Sequence, residues 1–225
     1  MTHQVRTFAR AVIWALPLWA ALLFLGTLTH QPDPQTAFAD FAAYVTTNQF
    51  LASHLLNSIS GAAIGSIGII ALMLLLQDTK GAGRAITGMV ATVAANTLTS
   101  SIFGVAAFAQ PAMGQAFLAG QANALEFYNN VYAAPLFLTA LASLLLFIVG
   151  GVFTGMAIAA NKRWPRWTGW VYAVTTTGFV LSNFLLPVGQ SVMSALLFVA
   201  TVVLAWRASQ GSERASDRMG IATAD

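Results

Sequence analysis

The chain has 225 residues, 57% hydrophobic and 8% charged, with a formal net charge of +3 and no cysteine. Soluble domains carry about 25% charged residues; a deficit this deep cannot clothe a water-facing surface and puts much of this one in lipid. The lack of thiols excludes disulfides, thiolate metal sites, iron–sulfur clusters and cysteine nucleophiles.

Six apolar segments follow in order, at roughly 10–29, 51–77, 85–109, 133–160, 166–187 and 189–207. In a bilayer each must be helical, because lipid offers no partner to a backbone N–H or C=O. The first follows Arg6 and Arg10. Its core exceeds the about 7–15 residues of a signal-peptide core and no small-residue cleavage site follows, so it reads as a span. Pro17 removes a backbone hydrogen bond in its middle and predicts a kink there. After it, TAFADFAAYVTTNQF (36–50) sets Phe38, Phe41 and Val45 at helical spacing beside Asp40 and Asn48. That pattern predicts a short helix on or just under the outer membrane surface.

The second segment reads LASHLLNSISGAAIGSIGIIALMLLL (51–76). At about 100° per residue, His54, Asn57, Gly61, Gly65 and Gly68 share one arc of roughly 80°. The stripe is polar at its outer end and becomes glycine inward, where Gly61-x-x-x-Gly65 admits a neighbouring helix. The third segment carries a matching stripe of Gly88, Thr92, Asn96 and Thr99. An unpaired amide at the depth of Asn96 costs several kcal/mol, so it must face protein or water. GQAFLAGQANALEFYNNVY (114–132) predicts a second short outer helix through Phe117, Leu118, Leu125 and Tyr128. The inner loop NKRWPRW (161–167) is an interfacial belt of Trp and base suited to anionic lipid. Segment five holds Thr175, Thr176, Thr177, Ser182 and Asn183, and LLPVG (185–189) turns tightly into segment six.

The bases fix the threading. Arg6 and Arg10 precede segment one; Lys80 and Arg84 follow two; Lys162, Arg163 and Arg166 follow four; Arg207, Arg214 and Arg218 follow six. All ten lie on one side, and the opposite loops hold Asp33, Asp40 and Glu126 without a base. By the positive-inside rule both termini are cytoplasmic. The basic character therefore records topology and gives no reason to expect nucleic acid. The expected fold is all-α: a polytopic membrane protein of six transmembrane helices with short interfacial helices in its outer loops, in a cytoplasmic membrane of bacterial type. Residues 1–209 form the transmembrane domain, and 210–225 a flexible cytoplasmic tail.

Small polar residues gather in the outer halves of these segments, which predicts a polar zone there, either an outward cavity or a closed hydrogen-bond network. Its candidate ligand-binding residues are His54, Asn57, Asn96, Thr99, Ser100 and Asn183. His30 ends segment one at a level similar to His54, but the spacing fits no metal motif, and structural or interfacial histidines are favoured over a zinc, copper or haem site. His54 and Ser58 stand at i, i+4 without an orienting acid, a poor nucleophile pair. No ionisable residue lies in the centre of a segment, as proton pumps and ion-coupled carriers require, and no acidic cluster offers to hold Mg²⁺. The expectation is a non-enzymatic membrane subunit that binds a protein partner, a second copy, or a lipid, quinone or pigment beside the polar zone. The alternative is a small permease with an outward-facing pocket between segments two, three and five.

Overall fold

The structure, a computed structural model, describes residues 2–162, 164–186 and 188–210, with the side chain of Asn183 excepted. Of the expected tail at 210–225, all but Gln210 lies outside the described residues, including Arg214 and Arg218, as do Arg163 and Pro187. The described chain is helical without a strand: α1 (His3–Val12), α2 (Ala15–Gly26), α3 (Phe38–Val45), α4 (Asn48–Ala52), a π-helical segment (Ser53–Ser60), α5 (Gly61–Leu76), α6 (Ala82–Leu118), α7 (Ala124–Val131), α8 (Ala134–Ala160), α9 (Arg166–Leu185) and α10 (Gly189–Ser209). Among the described residues, five helical stretches are long and apolar enough to cross a membrane: His3–Gly26, Asn48–Leu76, Ala82–Leu118, Ala134–Ala160 and Gly189–Ser209. The fifth expected segment, α9, has 20 residues but is not among them; its three successive threonines, with Ser182 and Asn183, dilute its apolar character.

Neighbours in space follow neighbours in sequence. α2 packs on α5, α5 on α6, α6 on α8, α8 on α9 and α9 on α10, and α10 returns to α2. Inside this ring Leu16, Trp19, Ile69, Leu72, Ile158, Tyr172 and Leu197 are buried. Phe147 fills its middle, 5.8 Å from the Trp19 ring and 6.4 Å from Phe179. In lipid, such contacts are held by close packing and interhelical hydrogen bonds, since the tails outside are as apolar as the core. Small residues make the close packing. A Cβ on Gly88 would strike Thr154, one on Gly150 would strike Thr92, and one on Gly151 would strike Thr176. The α6–α8–α9 seam is thus built from glycine opposite threonine.

One local feature follows the expected effect of Pro17, and two depart from the sequence expectation. The first helix breaks at Ile13–Trp14, one turn before Pro17, because the proline ring displaces the carbonyl four residues back. That carbonyl, on Ile13, instead accepts from Leu16 N at 3.0 Å. Next, α6 runs through Pro111 to Leu118, 37 residues in all, where the sequence suggested an end near 109. The first part of the expected outer helix at 114–132 therefore belongs to α6. The chain breaks at Gly120, whose φ of +83° only glycine adopts without strain, and resumes as α7. Finally, the π segment changes which residues share a face. Its wider i→i+5 turns bring Ser53 round to Thr29, where the two hydroxyls lie 3.3 Å apart.

Beyond the ring, α3, α7 and the last turns of α6 form a second core. Phe41, Val45, Phe50, Met113 and Tyr128 are buried in it. α3 lies directly on α6 because Gly114 leaves room for Ala42 and Val45. Asp33 ties the approach to α3 by accepting from Gln35 N at 2.9 Å and from the Thr36 hydroxyl at 3.1 Å. Gln35 in turn donates to Asn129 of α7 at 2.8 Å.

Candidate functional site

The expected polar zone is not one chamber. Its residues pair across separate seams. Ser191 of α10 donates to Thr27 beside α2 at 2.8 Å. Thr99 of α6 lies 2.7 Å from Ser143 of α8. Ser143 spends its proton on the Ala95 carbonyl at 3.0 Å, so Thr99 is the donor of that pair. Asn57 stands against Gly26 of α2, on the face where Gly61, Gly65 and Gly68 meet Leu22, Trp19 and Leu16.

His54 does not share that face. It turns toward α6, its ring 4.1 Å from Phe50 and 5.5 Å from Phe103, with Nδ1 3.0 Å from the Phe50 carbonyl. The hydrogen bond of this ring goes to its own backbone and not to Ser58. His30 is exposed on the loop after α2. Among the described residues no three His, Asp or Glu side chains gather where a metal ion would sit.

One seam does open. Between α5 and α6 lies a groove of about 450 Å³ lined by Ala62, Ala63, Ser66, Asn96, Thr97, Ser100 and Ser101. Ala63, Thr97 and Ser101 are exposed at its rim, and Asn96, 3% exposed, forms its floor. The floor is fixed from both helices. Asn96 Nδ2 donates to Ser66 Oγ at 3.2 Å, and Ser66 donates to the Ala62 carbonyl at 2.9 Å. Thr97 and Ser101 return their protons to their own helix, at the carbonyls of Val93 and Thr97, the usual habit of hydroxyls in apolar helices. Two groups remain. The Asn96 side-chain carbonyl and the Ser100 hydroxyl have no partner among the described residues, and both face the groove.

The groove lies deep. Asn96 is fourteen residues into α6, roughly 21 Å of rise, and Ser66 stands ten residues before the end of α5, roughly 15 Å. Both positions lie well inside their helices. Further along the same two helical stretches Phe50, His54 and Phe103 stack, and none of the three lines the groove. Of the six expected site residues, Asn96 and Ser100 line this groove. His54 is not among its lining residues, Asn57 and Thr99 serve other seams, and Asn183 lies on α9, its side chain outside the described residues. α9 supplies no residue to this groove; it packs on α8 and α10. Ala62, Ala63, Ser66 and Thr97 were not anticipated, whereas Ser101 belongs to the polar stretch expected at the outer end of segment three.

A second polar contact sits in the outer core. Gln110 Nε2 reaches the Tyr132 hydroxyl at 2.6 Å, and Gln110 Oε1 is buried without a partner. Burial pushes the Tyr132 phenol up to about 12, against the Gln110 bond and helped by Tyr128, stacked 4.4 Å away. Tyr128 is also raised, by burial first and then by the charge of Asp33.

No family model matches the chain, and no curated protein or solved structure matches it either. Function is therefore read from these residues alone.

Proposed function

We propose that the protein is a non-enzymatic, integral membrane binding subunit that holds a membrane-soluble ligand in the groove between α5 and α6. In this reading the chain crosses a bacterial cytoplasmic membrane six times, with α9 as the fifth span. Both termini are cytoplasmic, and α3 and α7 lie at the outer surface. The side-by-side packing of α9 with α8 and α10 supports the sixth crossing, since a helix wedged between two spanning neighbours runs their length. The one-sided placement of the bases supports the orientation.

One observation carries the ligand: a 97%-buried Asn96 whose carbonyl is left without a partner at the floor of a groove that opens toward lipid. Acyl chains cannot satisfy that oxygen, so leaving it bare is costly. A ligand with a hydrogen-bonding end removes the cost. The volume, about 450 Å³, falls in the usual range of roughly 300–1,000 Å³ for ligand sites.

The test is native mass spectrometry of protein released from mild detergent. A small-molecule adduct is expected on the wild type and absent from Ala63→Trp, whose indole fills the groove from the rim. A naked wild-type mass, together with a disulfide-linked dimer from Ala63→Cys, would assign the groove to a second copy instead.

A further inference from the structure

Resting on that reading of the groove, we infer that its ligand is an uncharged lipophile whose polar end carries oxygen in both donor and acceptor form, such as a quinol ring or the glycerol hydroxyl and esters of diacylglycerol. Three features select this chemistry and reject a charged headgroup.

The first is the absence of counter-charge. No Asp, Glu, Lys or Arg lines the groove. Along α6 the nearest base is Arg84, twelve residues or roughly 18 Å away, and α5 carries no charge. Bringing a phosphate or carboxylate to this depth without a partner costs several kcal/mol even after relaxation. The second is the pair of groups left open. The Asn96 carbonyl accepts and the Ser100 hydroxyl both donates and accepts, one turn apart on the same helix. A ligand with a hydroxyl and a nearby carbonyl or ether oxygen satisfies both at once, whereas a pure acceptor leaves the Asn96 oxygen bare.

The third is the surface that continues inward from the groove. On α5, Ala63 is followed by Ile67 and Ile70, 51% and 40% exposed; on α6, Thr97 is preceded by Val90 and Ile86, 57% and 49% exposed. These positions recur at helical spacing and extend the two walls as an aliphatic strip. The polar end therefore sits at Asn96 and Ser100, and the tail runs along Ile67, Ile70, Val90 and Ile86.

The test uses the full-length protein in phosphatidylcholine nanodiscs, titrated separately with a short-chain quinol, a diacylglycerol and phosphatidic acid, and read by saturable binding. Saturable binding of the quinol or the diacylglycerol is expected, and whichever of them binds names the source. Ser100→Ala should weaken it about fivefold and Asn96→Val at least tenfold, while phosphatidic acid fails to compete. Ala63→Trp abolishes binding with thermal stability retained, which separates a blocked groove from a misfolded bundle. Equal competition by phosphatidic acid overturns the ligand class and leaves the groove as a site. Binding that survives Ala63→Trp, or no binding of any of the three, overturns both.

Discussion

Gly155 of α8 and Gly169 of α9 face each other so closely that a Cβ on Gly155 would stand 2.5 Å from the Gly169 carbonyl oxygen and 2.6 Å from the Ala173 Cβ. Backbone meets backbone here, and neither side has a flexible end to withdraw. Gly155→Ala is expected to destabilise the protein by about 1–3 kcal/mol, as overpacking does. Gly83, with nothing within 4 Å of its missing Cβ, is the control: Gly83→Ala should stabilise α6 by about 0.5–1 kcal/mol. Thermal unfolding of both variants in one detergent checks the contrast; similar melting temperatures would refute it.

The bond from Asn96 to Ser66 joins α5 and α6 at mid-depth. A double-mutant cycle of Asn96→Ala and Ser66→Ala should return a coupling of about 0.6–1.7 kcal/mol, the range for membrane interhelical bonds. Additive losses would mean that the two side chains do not meet.

The outer core should loosen in alkali. The Tyr132 phenol is neutral below its pKa and anionic above it. Its folded value of about 12 stands above the unfolded value of about 10. Between those values the unfolded chain has released a proton that the folded one keeps. The contribution is thus complete below about pH 10 and is lost as the pH rises toward 12. Unfolding midpoints measured across that window should fall, and Tyr132→Phe should flatten the decline. A slope unchanged in Tyr132→Phe would place the effect elsewhere.

His54 acts in the structure as a packed ring. His54→Phe keeps the stack between Phe50 and Phe103 and gives up one bond to its own helix, a change of about 1 kcal/mol or less. His54→Ala empties the stack and should cost more. If His54→Phe were instead the more damaging change, the imidazole nitrogens would have a role beyond packing.

The existence of the long helices was legible because apolar runs in lipid have one backbone solution. The course of α6 past residue 109 was not. Pro111 reads locally as a stop, and it is overruled by α3 settling on Gly114 and by Met113 entering the outer core. The facing of His54 was also hidden. A fixed 100° step assigns it to the stripe of Asn57 and the glycines, and the π turns give that place to Ser53. The groove itself needed the vertical register of two antiparallel helices, which decides that Ser66 meets Asn96. Residue types showed that Asn96 required a partner; they did not say which helix would supply it.

α6 is some 55 Å long at 1.5 Å per residue, nearly twice the thickness of a hydrocarbon layer. Even a steep tilt leaves its last turns standing clear of the lipid, with α3 and α7 strapped to them. The α9–α10 turn has no such mast. Leu185, Leu186 and Val188 are 73%, 64% and 70% exposed there, an apolar rim suited to staying submerged. In the six-span reading proposed above, the outer surface is lopsided, tall where α6 carries α3 and α7 and low at the α9–α10 turn, and an antibody fragment raised against the intact protein should favour the tall half.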